Sequence, residues 1–547
     1  MKSIKKLSSV LLLSLAIGSL SALSSCRASF VPGEADTDDL DVTVDTRGVT
    51  ITMWTGFGSK VNTTMDELLE EFTKKTGIKV EYEAKGGYPN LLKAINLAST
   101  SGSFPNIANG YPDHFASYIK SNILLRLDGL LEHDHLRGEM EGAYTQKHSV
   151  MDPTDVRYGP DGIKLLNYED FYSDYTVENE TLEYKEDGTG YVLGLPFNKS
   201  TEVLVYNKVF FNWAKSSDQY KDTIFVPTTW AEVQSVGNAI NTLLKPGFKT
   251  KDADGQILAT DGNWYATSAA VATAGQDVVM NLTAVTEDDF RPFTYDSTAN
   301  LFITLVRQYG ANYTEVDKTA AGRGYATFGD AENKPAVLEA AQMLKQLFDS
   351  KVMGIPATWN ELYCSNSFKA YKSVMNVGST AGLSNIAGKN TKCAPIPVKD
   401  TDHKYVISQG TSLGLFNKGT PEQRVAAWKL MVFLTQQANG QFTSETGYYP
   451  TCPYSYNSDE YQAYLENDLT SDAEELELDS ANLNNEVYNG QGSTWTKFVD
   501  PGFRGSADIR ENVDLIAGYL MTGKPYATAE KVIDEVYKAC SDYWKRD

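Results

Sequence analysis

The chain has 547 residues, 41% of them hydrophobic and 11% aromatic, with a formal net charge of −22 at pH 7. That length exceeds what one core usually holds, so two domains or large lobes are expected, and the apolar content excludes a mostly disordered protein. The acidity excludes nucleic acid and anionic lipid as natural partners, although one buried arginine can still hold a small anion against the distant field.

Met1 to Cys26 reads as a signal peptide, with Lys2, Lys5 and Lys6 ahead of the apolar run Val10 to Leu20 and then small residues. Without its first 25 residues the chain carries −25. Leu23-Ser24-Ser25-Cys26 resembles a bacterial lipoprotein lipobox. The resemblance implies a lipidated Cys26 and an extracytoplasmic protein held to the cell membrane by that anchor alone. Residues 26–47 contain Asp36, Asp38, Asp39, Asp41 and Asp45 and are expected to form a flexible acidic linker. No later apolar run approaches the ~20 residues of a membrane span.

The fold is expected to begin at Val49 to Trp54, an alternating strand ending at Gly56. Thr64 and Glu67 have capping-box spacing, and Met65, Leu68, Leu69 and Phe72 give a helix an apolar face that Gly77 terminates. Ile78 to Glu83 alternates as a second strand, a helix starts near Pro89, and Phe104 to Ala108 is a third strand. Strands alternating with helices imply parallel pairing in an open α/β sheet. Residues 133–190 read as an irregular, tyrosine-rich insertion without an assigned role.

Tyr191 to Lys208, YVLGLPFNKSTEVLVYNK, is a strand broken at Pro196 that resumes at Val203. Such a segment can leave one sheet and enter another, which places Asn198, Lys199, Ser200 and Thr201 at a hinge facing a cleft. Beyond it, Thr229 to Glu232 repeats the capping-box form, Pro335 opens another helix, and Ser373 to Val377 runs into the small-residue loop Gly378 to Gly382. Lys392 to Val398 and Val406 to Phe416 follow as strands, Thr420 to Gln423 caps a helix, and Val532, Ile533, Val536, Tyr537 and Cys540 form one stripe of the last helix.

Taken in order, MWTGFG, GGYPNLLKAI, FPNIANGYPDHFASYI, the hinge stretch with VPTTWAEV, VGSTAGLSNI, ISQGTSLGLF, the AAWKLMVFLTQQANG to TGYYP run and GFRGSADIR resemble the extracellular solute-binding proteins of ABC importers. That family includes maltose- and glycerol-3-phosphate-binding proteins. The resemblance implies the two-lobed periplasmic-binding-protein type II fold, with open mixed sheets flanked by helices and joined by a hinge. Lobe 1 would be 48–202 plus 393–437, and lobe 2 would be 203–392 plus 438–547. A monomer would capture a sugar or oligosaccharide, or else a polyol phosphate, without a cofactor, and deliver it to membrane permease subunits. Matched to the glycerol-3-phosphate type, the ligand residues would be Tyr88, Lys199 or Ser200, Ser379, Gly410, Tyr448 and Arg504. Pro112 stands where that type has a glutamate, with Asp113 beside it, which argues for a different ligand.

Other features have competing readings. Trp54 lies where open α/β sheets bind ligands or packs the cleft floor. Trp264 and Trp359 are cleft candidates that suit core packing better. Arg504 can hold a phosphate or span two hydroxyls, or form a surface ion pair, and Arg510 lies close by. His133-Asp134-His135 has zinc-ligand chemistry but reads as a solvated loop, and Asp252-Ala253-Asp254-Gly255 lacks the spacing of a calcium loop. Glu474, Glu475, Glu477 and Asp479 read as a solvated helix face. Cys364, Cys393, Cys452 and Cys540 have no CxxC spacing, leaving disulfides and buried thiols both open. No GxSxG, HExxH or Walker motif occurs, so an enzyme is not expected; a surface glycoside hydrolase with paired carboxylates is the alternative class.

Overall fold

The computed structural model describes residues 35–140, 161–244, 263–265, 278–281, 285–319, 322–388, 390–466, 471–490 and 492–541. The signal peptide, Cys26 and the Asp252 to Gly255 stretch lie outside these residues. In chain order, the strands that organise the molecule are β1 (Thr50–Thr55), β2 (Lys79–Ala84), β3 (Ile107–Gly110), β4 (Leu195–Ser200), β5 (Glu202–Asn207), β6 (Phe293–Tyr295), β7 (Met353–Gly354), β8 (Met375–Ser379), β9 (Thr391–Ala394) and β10 (Gln409–Leu415).

They form two five-stranded sheets, β2-β1-β3-β10-β4 and β7-β6-β8-β5-β9. In the first, β1 runs parallel to β2 and β3, whereas β10 runs antiparallel to β3 and β4. In the second, β6 runs parallel to β7 and β8, and β5 is antiparallel to β8 and β9. Only Thr201 separates β4 in one sheet from β5 in the other. The chain therefore changes lobe within one residue. Thr201 is fixed there by donating its hydroxyl to the Ile407 carbonyl (2.7 Å) and its amide to Thr380 Oγ1 (3.2 Å).

Two further passages join the lobes. The chain returns through Tyr405–Ile407, which pairs with Thr496–Phe498, and enters β10 at Gln409. It leaves again beside Tyr449, whose amide donates to the Lys199 carbonyl at 2.8 Å and whose hydroxyl meets Ser480 Oγ at 2.8 Å. The lobe boundaries therefore differ from those expected. Strand β9 belongs to the second sheet, so the return to lobe 1 begins at Gln409 rather than residue 393. The helix Asn439–Thr446 and Cys452 pack into the first lobe's core through Phe442, so lobe 1 extends past residue 437.

Capping chemistry fixes two of the expected helix starts. Thr420 and Gln423 exchange capping-box bonds at the start of Pro421–Val432, and Glu232 Oε2 accepts the Thr229 amide at 3.1 Å while Thr229 Oγ1 accepts that of Glu232. The Thr64–Glu67 box does not form. Helix Ser59–Thr76 starts five residues earlier behind Gly58, which places Thr64 on the buried face with Met65 and Leu68.

The linker reading is corrected from Ala35 onward. Leu40 and Val42 are 5% and 4% exposed within the first lobe's core, because alternation between the aspartates points them inward. Thr37 donates to the Arg126 carbonyl at 2.8 Å, Arg126 pairs with Asp36 at 2.8 Å, and Lys429 reaches Thr46 Oγ1 at 3.1 Å. On the acidic helix Asp472–Leu483, Glu474 and Glu475 are exposed as expected, whereas Glu477 and Asp479 turn inward. Glu477 is 7% exposed and pairs with Lys60 of the first lobe at 3.1 Å, and Asp479 accepts the Cys393 amide at 2.6 Å. Cys364, Cys393, Cys452 and Cys540 are separate buried thiols. Because residues 35–47 form part of the lobe, Leu40→Ala is expected to lower the unfolding free energy by about 2–4 kcal/mol in urea titration; an unchanged midpoint would mean that the segment is a spacer.

Candidate ligand-binding cleft

A cavity of about 1090 Å³ lies between the lobes, with walls from both. A second, of about 610 Å³, continues it past Tyr88, Tyr111, Tyr363, Gln409 and Gly410, which line both. The position follows from topology. β3 leads into Tyr111 and Asp113, β6 into Asp296, and β8 ends at Ser379, so the cleft takes up the carboxyl ends of strands from both sheets.

The first wall is aromatic. Tyr88 opens the helix Tyr88–Ser99 after Gly86 and Gly87, whose φ values of +69° and +120° suit glycine alone. The Tyr88 ring meets Tyr111 edge-on at 4.9 Å. A Cβ at Gly56 would lie 2.6 Å from Tyr88 Cδ1, so this glycine is what lets the ring seat. Tyr448 follows the left-handed Gly447 that ends Asn439–Thr446 and stacks on Phe442 at 5.8 Å and 10°. Burial holds the Tyr88 hydroxyl well above its usual pKa, with the neighbouring tyrosines adding to the shift, so the ring enters binding as a neutral donor or acceptor.

Asn198 is held at the junction by a relay across the first sheet. Its Nδ2 donates to Tyr88 Oη at 3.1 Å and its Oδ1 accepts the Thr411 hydroxyl. Asn109 Nδ2 in turn donates to Thr411 Oγ1 at 3.1 Å, and Asn109 Oδ1 accepts the Gly56 amide at 3.0 Å. Gly410, at φ +108°, lets β10 pass so close to β4 that a Cβ would lie 2.0 Å from the Asn198 carbonyl oxygen.

The second wall is polar. Glu202, 1% exposed, accepts the Tyr295 hydroxyl and Asn300 Nδ2, the latter at 2.8 Å. Burial pushes its carboxyl up to about 7, against the lowering effect of those bonds and of Arg510. Asp296 accepts the Cys364 amide at 2.7 Å and Asn376 Nδ2 at 3.3 Å, and burial raises its pKa too. Arg510 donates to Asp500 at 2.9 Å and to Asn300 Oδ1.

Tyr88, Asn198, Ser200, Ser379, Gly410 and Tyr448 thus come together around the larger cavity, and Asp113 lines the smaller one. Four expected residues do not face the cleft: Lys199, Trp54, Arg504 and Thr201, the last 0% exposed and lining neither cavity. Lys199 is 0% exposed on the opposite face of β4, because side chains alternate along the strand. There it forms an ion pair with Glu178, which also accepts the Ser412 hydroxyl at 3.1 Å. Trp54 sits under Lys85 Nζ, 3.6 Å from the ring centroid, and packs against the core that includes Leu91 and Ile95, on the sheet face covered by the helix Tyr88–Ser99. Arg504 precedes the helix Ser506–Thr522 and bonds through its amide to the Gly322 carbonyl at 2.7 Å, away from both cavities.

Arg510 occupies the cleft instead. The spacing Arg510, Asp514, Gly518 and Thr522 marks one helix face, a signal present in the sequence. Glu202, Asp296 and Asn300 carried no such signal. Trp359 donates to the Asp289 carbonyl at 2.9 Å and lines neither cavity, and the side chain of Trp264 lies outside the described residues. Asp134 is buried and accepts Trp428 Nε1 at 3.2 Å rather than forming a solvated loop; among the described residues no three His, Cys, Asp or Glu side chains are grouped to hold a metal ion.

Two α/β lobes, three chain passages and a cleft between strand ends define a two-lobed binding protein of the periplasmic type II class. The family described as bacterial extracellular solute-binding protein matches residues 67–468, and the chain belongs to it. A search of curated protein sequences finds no match. Among solved structures, UgpB from Mycobacterium tuberculosis in complex with glycerophosphocholine superposes with a TM-score of 0.59 at 15% identity, covering 91% of this chain and 98% of that one. Maltose-bound MalE3 of T. maritima gives 0.57 at 15% identity over 90% and 100% of the two chains. The GacH receptor of Streptomyces glaucescens GLA.O, solved unliganded and with acarbose, gives 0.56 at 15% identity over 90% and 97%. At this identity the likeness is one of fold.

Two stability measurements check the electrostatics. Lys199→Met strands the Glu178 carboxylate and is expected to cost about 3–5 kcal/mol, most of it recovered by adding Glu178→Gln; an inexpensive single variant would contradict the buried pair. The Glu202 carboxyl lies above its ordinary value of 4.5 in the folded state, so the fold loses stability as pH rises from about 4.5 to about 7. Glu202→Gln removes that slope and gains roughly 2–3 kcal/mol relative to the parent between pH 5 and 8 in urea titrations; parallel pH profiles would contradict it.

Proposed function

We propose that the protein is the lipid-anchored solute receptor of an ABC importer, which captures an oligosaccharide-sized, hydroxyl-rich solute between its lobes as a monomer and presents it to the permease. The observation that carries this reading is the composition of the cleft. Tyr88, Tyr111 and Tyr448 of the first lobe and Tyr363 and Tyr519 of the second share a cavity of about 1090 Å³ with carboxylate, amide and hydroxyl groups. Aromatic faces stack on the apolar faces of pyranose rings, and the Asp296, Glu202 and Asn198 side chains supply acceptors and donors for ring hydroxyls. The volume exceeds the ~300–1,000 Å³ usual for a drug-sized ligand, which suits more than one sugar unit.

Family membership supports capture rather than turnover, and proteins similar in fold were solved with maltose, acarbose or glycerophosphocholine. The Leu23 to Cys26 lipobox supports the anchor. Closure of the lobes on the solute would expel water from the cleft and complete its hydrogen bonds. Thermal-shift screening against a panel of neutral oligosaccharides should raise the apparent unfolding temperature by several degrees for the correct member. Tyr448→Ala and Ser379→Ala should each weaken that ligand about tenfold or more by calorimetry. A panel that produces no shift would contradict the reading.

A further inference from the structure

The charges around the cleft are one-sided. Carboxylates line both cavities, whereas the basic side chains there are His114, Arg510 and Lys524. His114 is held neutral by burial, which lowers its pKa against the pull of Asp113. Lys524 is exposed at the rim. Arg510 is already committed, one guanidinium nitrogen to Asp500 at 2.9 Å and another to Asn300 Oδ1, and Asp113 lies within its field. Its single positive charge is thus shared between two carboxylates before any ligand enters.

On the facing wall, Asp296 and Glu202 have no ion-pair partner among the described residues. Their bonds come from neutral donors: the Cys364 amide, Asn376, the Tyr295 hydroxyl and Asn300. Burial raises both pKa values, as an uncompensated carboxylate requires. The small-residue loop after β8 does not offset this, because the Ser379 hydroxyl itself takes up the Ala381 amide at 3.3 Å. A phosphate or carboxylate on the ligand would meet acceptors where it needs donors, and at Asp296, which has no ion-pair partner among the described residues, a carboxylate of its own sign.

Resting on the saccharide reading above, we infer that the cleft selects by charge: it takes solutes that bring hydrogen-bond donors and no anionic group, and it excludes phosphorylated and uronic saccharides. Neutral and amine-bearing sugars satisfy Asp296 and Glu202, whereas polyol phosphates do not. This sets aside the glycerol-phosphate alternative that the sequence resemblance left open.

The test uses the full mature protein and a matched series: the best neutral oligosaccharide from the panel, its 6-phosphate and its C6-oxidised uronate. Calorimetry is expected to show both anionic members at least about a hundredfold weaker than the neutral one. That ratio should shrink in the Asp296→Asn variant, whatever happens to the neutral affinity itself. The matched series on the unaltered protein needs no variant and decides the matter even where the substitution fails to fold. Equal or tighter binding of an anionic member, or a ratio unchanged in a folded Asp296→Asn variant, would overturn charge selection while leaving saccharide capture intact. Failure of every saccharide, whatever its charge, would instead overturn the saccharide reading and this inference with it.

Discussion

The buried ion pair between Lys199 and Glu178 is the interaction on which the cleft depends. Lys199 is the penultimate residue of β4 before the lobes part, and its side chain points away from the ligand side of that strand. With Lys199 pinned to Glu178 and Ser412 on one face, alternation turns Asn198 and Ser200 to the other, where the cavity is. A one-residue slip of this strand would bring the lysine into the cleft and bury the asparagine. Burial pulls the lysine's pKa down while Glu178 opposes it, so the pair is held by contact with its partner rather than by solvation.

The same pair gives the tyrosine-rich insertion its purpose. Glu178 belongs to a short turn of that segment, and Tyr175 beside it lies between Lys199 and Lys497 of the second lobe. Lys497 donates to Asn484 at 2.8 Å and, with burial dominant, its pKa falls to about 7. The residues around Tyr175 and Glu178 therefore buttress the hinge with aromatic and charged groups, and Glu178 also lines the smaller cavity.

Much of this was legible from residue order. The alternation of Ile51 and Met53, the break at Pro196 and the resumption at Val203 locate β1, β4 and β5, and ligand-facing positions at strand and helix ends, such as Tyr88, Ser379 and Tyr448, follow from where the elements stop. What was not legible depends on the third dimension. Glu178 becomes the partner of Lys199 only when the insertion folds back on β4, and no local pattern announces it. The carboxyl end of a strand places Trp54 at the cleft, and the hinge turn and family resemblance place Lys199 there, whereas the two-residue period of a strand sends both elsewhere. Leu40 and Val42 were hidden among aspartates whose density suggested solvation. Arg510 replaced Arg504 because the helix starts at Ser506, so the residue six positions on, rather than the one at the motif, faces the cavity.

Membership of the solute-binding family and a cleft walled by tyrosines and carboxylates converge on capture of a hydroxyl-rich solute. The most direct measurement is a crystal structure of the protein bound to the best oligosaccharide of the panel. The account predicts sugar rings stacked between the lobes on Tyr88 and Tyr448, hydroxyls donating to Asp296 and meeting Asn198, and Lys199 still paired with Glu178. A ligand seated outside the cleft, or one held through Lys199 with the Glu178 pair broken, would contradict it.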